Sequence, residues 1–324
     1  MAERFLITGA NGFVGRHLSE ALLARGAEVH GTVFAPEEDP LAGAGLDRVE
    51  LHAVDVRSQR EVESVVAEVR PDGIFHLAGI AFVPDAAAHP TLAFDVNAIG
   101  TIRVLAAVHR FCPGTRLISI GSSEVYGLVD AGDLPIDESV AMHPLSPYAS
   151  SKAAADLLAY QWAEGMGVDV VRVRPFNHTG AGQRAVFVCP DFATQIARIE
   201  RGDVPSRMDV GDLDVVRDFS DVRDVVDAYL ALYDKGVTGE AYNVCSGVGR
   251  TIRQILDGLI RLSGVDVDVR VDPAKVRPRR VPSFVGSAAK LRQHTGWRPR
   301  HEWEETLSAV LADCRDRVAG EPSE

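Results

Sequence analysis

The sequence predicts an α/β protein with a doubly wound parallel sheet and a smaller C-terminal α/β lobe. Through the first half of the chain, short apolar runs typical of strands buried on both faces alternate with helical patterns. A glycine-rich stretch links the first of these runs to the first helix. From about residue 177 the alternation gives way to shorter, mixed elements. The first two features predict the sheet, and the third predicts the second lobe.

Predicted strands follow one another in the first part of the chain, at 4–8, 28–33, 49–56, 73–79, 116–122 and 168–176. Helical patterns separate them, at 17–26, 59–69, 90–111 and 153–164. Because a crossover helix returns the chain to the same end of the sheet, this alternation builds parallel strands. Later elements are predicted at 222–236 and 251–264 (helices) and at 240–247 (a strand). We therefore predict one domain over residues 1–176, with segments of about 220–246 returning to it, and a second lobe over 177–324.

Composition and charge exclude several classes of function. The chain has 324 residues and a formal net charge of −12, so it can bury a full core but is a poor general binder of nucleic acids. The N-terminus lacks the apolar stretch of a secretory signal, and no apolar run reaches the length of a membrane span. The four cysteines lie far apart without a C-x-x-C pair, which predicts neither a metal site nor disulfides. We expect a cytoplasmic protein that uses no metal and binds neither membrane nor nucleic acid.

The glycine-rich stretch is GANGFVG, residues 9–15, directly after the first strand and at the start of the first helix. Glycines at this spacing allow a tight turn and a close approach of backbone N–H groups and the helix N-terminus to a pyrophosphate. In this context the motif predicts a Rossmann-type dinucleotide site rather than a purely structural turn. The residues expected to bind the cofactor here are Gly9, Asn11, Gly12, Phe13, Val14, Gly15 and Arg16.

The choice of cofactor depends on the end of the second strand. An NAD site places a carboxylate there for the ribose hydroxyls, whereas an NADP site places a cation near the extra phosphate. The residues at this point are Thr32, Val33 and Phe34, and Arg16 lies just past the last glycine of the motif. The pattern favours NADP(H) over NAD(H). Further cofactor contacts are expected after the third and fourth strands, at Asp55, Val56, Leu77, Ala78 and Gly79.

A second motif, SPYASSK at 146–152, predicts the start of a helix. Ser146 is a natural N-cap and Pro147 a natural first residue, so Tyr148 and Lys152 fall at i and i+4 on one face. An ammonium beside a phenol favours the phenolate, which predicts a lowered tyrosine pKa and an acid/base role. Such a spacing alone is more often a surface pair, but here it follows a dinucleotide loop and a strand that ends in serines.

Taken in order, the segments GANGFVG, HLAG, GSSEVYG and SPYASSK resemble the extended short-chain dehydrogenase/reductase family, over about residues 4–312. Members of that family act on nucleotide-diphosphate sugars. The resemblance implies that a hydroxyl after the fifth strand binds the reacting sugar oxygen, that the tyrosine is the acid/base, and that the lysine supports it and the cofactor. Hydride is then expected to pass at C4 of the sugar. These roles fall to Ser122, Tyr148 and Lys152.

The second lobe narrows the resemblance. Segments 174–183, 210–229 and 276–282 are similar to those of enzymes that convert GDP-mannose to 6-deoxyhexoses, both the 4,6-dehydratases and, more closely, the 4-keto reductases. The resemblance implies a GDP-linked sugar whose diphosphate is gripped by guanidinium groups, since these match phosphate as planar forks. The implied substrate-binding residues in this lobe are Asn177, Val188, Arg217 and Arg277.

Two arginines of this lobe need separate comment. Arg280 stands where the family has a glutamate, so one sugar or ribose contact is lost or reversed in charge. For Arg217, which precedes Asp218, a surface salt bridge with a nearby aspartate is the alternative to phosphate binding.

Ser122, Ser123 and Glu124 bear on the reaction itself. A 4,6-dehydratase needs a base beside the strand-end hydroxyl to remove the C5 proton, and resemblance to its Thr-(Asp or Ser)-Glu run implies this role for Glu124. A 4-keto reductase needs only the hydroxyl, the tyrosine and the lysine, and its glutamate orients the sugar. The remaining segments favour the reductase, with a 4,6-dehydratase or 4-epimerase as alternatives. A cofactor-binding regulator without turnover is a further alternative, against which the complete Ser122, Tyr148 and Lys152 set argues.

Helices 90–111 and 153–164 are apolar over more than one face. In the family, helices at these positions form a four-helix contact between subunits, so the resemblance implies a homodimer. Packing of both helices inside their own fold is the alternative.

Overall fold

The computed structural model describes residues 2–34, 46–276 and 281–321. The strands in this part of the chain are β1 (Arg4–Thr8), β2 (Glu28–Val33), β3 (Glu50–Ala53), β4 (Gly73–His76), β5 (Arg116–Ile120), β6 (Val170–Pro175), β7 (Asn177–Thr179), β8 (Arg207–Val210), β9 (Val216–Asp221), β10 (Ala241–Val244), β11 (Gly249–Thr251), β12 (Asp268–Val271) and β13 (Ser283–Phe284). The α-helices are α1 (Phe13–Ala24), α2 (Gln59–Val69), α3 (Val83–Ala88), α4 (Pro90–Phe94), α5 (Gly100–Phe111), α6 (Pro147–Met166), α7 (Val188–Arg201), α8 (Val222–Lys235), α9 (Ile252–Ser263), α10 (Ala289–Thr295) and α11 (Trp303–Ala319).

The main sheet has seven parallel strands in the order β10-β6-β5-β4-β1-β2-β3. Apolar side chains of α1, α8 and α10 pack on one face, and those of α2, α5 and α6 on the other. The predicted doubly wound α/β fold is therefore confirmed. Because the strand order reverses between β1 and β4, the carboxyl ends of these two strands flank the position where such sheets bind ligands.

The predicted strands lie where expected, but five of them end one to three residues earlier than predicted. The runs 49–56, 73–79, 116–122, 168–176 and 240–247 end as strands at Ala53, His76, Ile120, Pro175 and Val244. The physical reason is that the chain turns away at the carboxyl edge of the sheet, so that the residues after each strand belong to loops. Those loops contain most of the residues predicted to bind cofactor or substrate.

The apolar helix predicted at 90–111 has the right extent but is wrong as a single α-helix. A π-helical turn, Asp95–Ile99, separates α4 from α5. Such turns are rare and frequently lie at functional sites. Contrary to the expectation that no apolar run reaches the length of a membrane span, the segment 90–111 is long and apolar enough to cross a membrane by composition. Half of it is buried inside the fold, as in core helices of globular proteins.

The second lobe is built around β9, which pairs with β7, β11 and β13, and a separate two-stranded sheet joins β8 to β12. Its core is formed by apolar side chains of α7, α9 and α11 packed on β8 and β9. Among the described residues, this core shares no buried residue with the two apolar cores on the faces of the main sheet. Each lobe therefore buries its own apolar surface.

Later parts of the chain also contribute to the main sheet. β10 pairs with β6 as an outer strand, and α8 packs beside α1 and against β5 and β6 of the sheet. α10 and Trp297 join the same apolar cluster. The domain boundaries at 176 and 177 stay a prediction.

Candidate active site

The glycine-rich loop joins β1 to α1. A Cβ on Gly15 would lie 2.6 Å from the carbonyl oxygens of Gly9 and Ala10, so only glycine permits this packing of the helix against the loop. The helix begins at Phe13, and Gly12 before it provides no side-chain cap. The first-turn N–H groups can therefore bind an anion, as predicted for a pyrophosphate.

Threonine hydroxyls hold this loop to its neighbours. Thr8 Oγ1 accepts a hydrogen bond from the backbone N–H of Ala78 at 3.1 Å and lies 2.7 Å from Nδ1 of His76. The N–H of Gly9 donates to Thr32 Oγ1 at 3.2 Å. The ends of β1, β2 and β4 thus form one connected edge, and the predicted residues Leu77 and Ala78 lie on it.

At the outer end of this edge lie Arg16, Asp55 and Arg57. Arg16 donates from Nε to the carbonyl oxygen of Asn11 at 3.0 Å. Asp55 follows β3 and binds Arg57 through both carboxylate oxygens, at 2.9 and 3.0 Å from Nε, which lowers the pKa of Asp55. The Arg57 guanidinium also lies 5.5 Å from the ring centre of the exposed Phe34. Arg57, which the sequence did not single out, therefore brings a cation to the end of β2, while Val56 beside it is buried.

The second predicted motif begins α6 as expected. Ser146 is the N-cap and accepts from the N–H of Ala149 at 3.1 Å, and Pro147 is the first helical residue. Tyr148 and Lys152 are both buried, and the Lys152 ammonium donates to the carbonyl oxygen of Ile120 at 2.9 Å. The end of β5 therefore fixes the position of the lysine.

The expected direction of the tyrosine pKa is wrong for the ligand-free protein. Burial raises the pKa of Tyr148 to about 12, a hydrogen bond with the Ser122 side chain opposes the rise, and the Glu124 charge adds to it. Burial also lowers the pKa of Lys152 to about 8. Desolvation penalises the charged form of both groups, so the phenol is protonated at neutral pH.

Asn97 lies close to the start of α6, where Tyr148 and Lys152 are found, and the sequence did not indicate it. It projects from the π-helical turn, accepts from the N–H of Ile80 at 2.8 Å and donates to Ser151 Oγ at 2.9 Å. A Cβ on Gly79 would lie 2.8 Å from Asn97 Oδ1 and 3.4 Å from the Lys152 nitrogen. Glycine at position 79 thus leaves room for the amide and the ammonium. An asparagine in the middle of an apolar helix was the available signal.

Ser122, Ser123 and Glu124 follow β5 in a short 3₁₀ turn, Ser123–Tyr126. The Ser122 hydroxyl accepts from the N–H of Glu124 at 3.2 Å, and both serines are buried. Glu124 is exposed to solvent. Desolvation by the protein atoms near it nevertheless raises the pKa of its carboxyl, and the charge of Arg217 opposes the rise.

A buried network joins this turn to α6, and its members were also missed. Tyr126 donates to Asn243 Oδ1 at 2.7 Å and accepts from Arg174 at 2.9 Å. Arg174 donates hydrogen bonds to both carboxylate oxygens of Asp156, at 2.9 and 3.0 Å, and Arg172 donates a third at 2.5 Å. Asp156 lies one helical turn after Lys152. The network therefore fixes the turn that contains Ser122 relative to the helix that contains Tyr148.

Arg217 reaches this site from β9 of the second lobe. Desolvation lowers the pKa of its half-buried guanidinium, and the charge of Glu124 opposes that shift. Its neighbour Asp218 is fully buried and accepts from the N–H groups of Ser246, Gly247 and Gly286 at 2.9 to 3.2 Å, and from the Ser246 hydroxyl at 2.5 Å. Asp218 is thus bonded to other groups, which disfavours the salt-bridge alternative with this aspartate.

The remaining predicted substrate residues are partly placed. Asn177 begins β7 and pairs in register with Phe219 of β9, while Val188 begins α7. Arg277 and the departure at Arg280 lie outside the described residues. The structure thus brings Ser122, Glu124, Tyr148, Lys152 and Arg217 to one site.

A family model described as GDP-mannose 4,6 dehydratase matches residues 6–310. The chain belongs to the GDP-mannose 4,6-dehydratase family. This confirms the predicted membership of the extended short-chain dehydrogenases/reductases, of which this family is a part. The family name does not by itself decide the reaction, because relatives with different activities share it.

Relatives within this family differ in their activities. The chain is 39% identical to GDP-6-deoxy-D-mannose reductase from Pseudomonas aeruginosa, over 99% of this chain and 100% of the relative. It is 27% identical to GDP-mannose 4,6-dehydratase from Vibrio cholerae serotype O1, over 95% of this chain and 92% of the relative. The solved structure of RMD from Pseudomonas aeruginosa complexed with NADPH has 36% identity and a TM-score of 0.86, covering 98% of this chain and 100% of that one.

Proposed function

We propose that this protein uses NADPH to reduce the 4-keto group of a GDP-linked 4-keto-6-deoxyhexose, forming a GDP-6-deoxy-D-mannose (GDP-rhamnose) type of product. The observation that supports this most strongly is the full-length similarity to the Pseudomonas aeruginosa reductase, which exceeds that to the dehydratase. The complete Ser122, Tyr148 and Lys152 set supports turnover and argues against a regulator that only binds nucleotide.

The acid/base chemistry follows from the protonation states of the site. When bound, the nicotinamide cofactor supplies the hydride that adds to C4 of the sugar. Tyr148 is protonated at neutral pH, so its phenol can donate the proton that the C4 oxygen requires. Ser122 donates to the same oxygen and holds it beside the phenol. The phenolate left on Tyr148 is stabilised by the ammonium of Lys152, which Ile120 keeps in place.

The residues of the cofactor edge fit NADP(H). The packing of Gly15 and the uncapped start of α1 provide a backbone surface for the pyrophosphate. Phe34 stands where an NAD site needs a carboxylate, and Arg16 and Arg57 are the nearby cations proposed for the 2′-phosphate. Val56 and Asp55 are proposed to contact the adenine.

Arg217 is proposed to bind the diphosphate of the substrate, together with Asn177, Val188 and Arg277 around the nucleoside. A desolvated guanidinium without a short ion pair to its neighbour Asp218 is well suited to an anionic ligand. In this reading Glu124 accepts a hydrogen bond from a sugar hydroxyl.

A 4,6-dehydratase is the second candidate, and one observation favours it. The raised pKa of Glu124 brings this carboxyl closer to the range in which it can accept and return a proton. A dehydratase would use it as the base at C5. A 4-epimerase would use Tyr148 and Lys152 with the bound nicotinamide cofactor and would not need Glu124 as a base.

The deciding experiment separates the two reactions by their demand for reductant. Purified protein with GDP-4-keto-6-deoxymannose and NADPH is expected to oxidise one NADPH per product, followed by absorbance and by NMR of the sugar. Formation of a 4-keto sugar from GDP-mannose without added reductant would reverse the order of the candidates. Glu124→Gln sharpens the result, because a dehydratase loses solvent deuterium incorporation at C5 whereas a reductase changes modestly.

We also propose a homodimer formed through α4, α5 and α6. Leu157 and Tyr160 on α6 are 58% and 47% exposed, and Leu92 and Ile99 are exposed at the other helices. Large apolar side chains grouped on one surface favour association. Light scattering should report a dimer for the wild-type chain and a monomer for Leu157→Glu. A cytoplasmic location stays part of this proposal.

A further inference from the structure

Two histidines and a glutamate meet on the outer strands of the main sheet, away from the active-site helix α6. His30 lies on β2 opposite Glu50 of β3, and the next pair on the same face joins Thr32 to His52. Nδ1 of His30 is 3.1 Å from Nε2 of His52 and 3.7 Å from a carboxylate oxygen of Glu50. All three ligand atoms lie within 4.8 Å of one another.

A carboxylate behind His30 orients its ring. Nε2 of His30 lies 2.9 Å from Oε1 of Glu28, and Arg4 holds that carboxylate at 2.7 and 3.2 Å. Because Arg4 donates to both oxygens of Glu28, that carboxylate is the acceptor of the hydrogen bond from His30 Nε2. Nε2 therefore has the proton and Nδ1 presents its lone pair to His52 and Glu50. Metal-binding histidines are oriented by a carboxylate in this way.

We propose that His30, Glu50 and His52 bind a divalent transition-metal ion, Zn²⁺ in the first place. Imidazole nitrogens and one carboxylate oxygen are a donor set that Zn²⁺ prefers. With Zn–N bonds of about 2.0–2.1 Å, nitrogens 3.1 Å apart subtend an angle of about 100° at the metal, which a tetrahedral site tolerates. The exposed Glu50 side chain leaves the fourth position open to water.

Such an ion would cross-link β3 to β2. β3 is the outermost strand of the sheet, so it is hydrogen-bonded to a neighbouring strand on one side only. It is also only four residues long. No local motif signals the site in the sequence, because its ligands come from two strands. The competing arrangement is a plain hydrogen bond from His52 to His30, which uses the same two nitrogens.

The test is direct metal binding by tag-free, EDTA-treated protein. Equilibrium dialysis against Zn²⁺ followed by elemental analysis should give one ion per chain, and Co²⁺ should give the intense visible bands of a tetrahedral site. His52→Gln and Glu50→Gln should each weaken Zn²⁺ binding by tenfold or more, and Glu28→Gln should weaken it about 10–100-fold as an outer partner. Zn²⁺ should raise the midpoint of thermal unfolding of the wild type but not of His52→Gln.

The matched control is His109→Gln, which removes an exposed histidine on α5. Glu50 is exposed, so Glu50→Gln remains informative even if a change at the buried His30 impairs folding. Binding of less than a tenth of an ion per chain by the wild type, or equal binding by wild type and His52→Gln, would overturn the proposal and leave the hydrogen-bonded pair. Reductase activity is expected to be the same in wild type and His52→Gln.

Discussion

The molecule places arginine–carboxylate partners in two contrasting settings around one active site. At the seam between α6 and β6, Asp156 is bound by Arg172 and Arg174; Asp156 and Arg174 are buried, and Arg172 is partly buried. Across the site, Glu124 lies in the 3₁₀ turn after β5 and Arg217 lies on β9, and the two influence each other through their charges. The seam fixes geometry, whereas Glu124 and Arg217 retain capacity for a ligand.

This difference shows how charged residues that stabilise the fold can be distinguished from those available to bind a ligand, even when both are arginines and carboxylates. A buried ion pair that loses one partner leaves an uncompensated charge, so its removal affects folding. Glu124 is exposed and Arg217 is only partly buried, so removal of either charge should affect binding and catalysis instead. Each variant below is chosen to test this division.

The largest effect is expected for Tyr148→Phe. Loss of the proton donor should lower kcat by about 10²–10⁴-fold, the usual contribution of general acid catalysis. NADPH binding, measured by fluorescence titration, should stay within twofold, and the midpoint of unfolding should hardly change. An unchanged kcat would remove the tyrosine from the mechanism.

Asp156→Asn should have the largest effect on stability. The buried guanidinium of Arg174 and the partly buried one of Arg172 would lose their counter-charge, at a cost of about 3–5 kcal/mol in the free energy of unfolding. Urea denaturation measures this, with Asp234→Asn as control, because the exposed pair of Asp234 and Arg25 should contribute less than about 1 kcal/mol. Equal losses in both variants would contradict the contrast between seam and surface.

Lys152→Met should stabilise the cofactor-free protein at neutral pH. Burial lowers the lysine pKa from 10.5 to about 8, so below pH 8 the folded chain bears a buried ammonium at a cost of about 3 kcal/mol. Between pH 8 and 10.5 the unfolded chain binds more protons, so this cost disappears as pH rises. The stability difference between variant and wild type should therefore shrink from pH 7 to pH 10, and a constant difference would refute it.

Arg217→Ala should have the smallest effect and the most specific one. We expect KM for the nucleotide sugar to rise about 10–100-fold, as for the loss of charge-assisted hydrogen bonds of about 1.5–3 kcal/mol. The free energy of unfolding should change by less than about 0.5 kcal/mol. Arg217→Lys should recover only part of the affinity, since an ammonium lacks the planar fork. Arg207→Ala, at an exposed pair with Asp209, is the control for a general charge effect.

The main sheet could be predicted because its signals are local. Apolar runs, the glycine turn and the Ser146 cap each fix an element without knowledge of the rest of the chain. Asp156, Tyr126 and Asn97 could not be assigned, because their roles depend on partners far away in sequence, such as Asn243 for Tyr126. The pKa of Tyr148 was predicted in the wrong direction for a related reason, since its burial by the fold is not visible in the spacing to Lys152.

The alternation along β9 has a consequence for how this family can diversify. Successive residues of a strand point to opposite faces, so Arg217, which we propose binds the substrate, faces away from Asp218, which anchors two loops of the lobe. Position 217 can therefore be randomised in a search for new substrates while position 218 is kept constant. Changes along this one strand can therefore alter specificity and folding independently. An insertion of one residue between positions 217 and 218 would end this separation, because it would change which face each side chain points to.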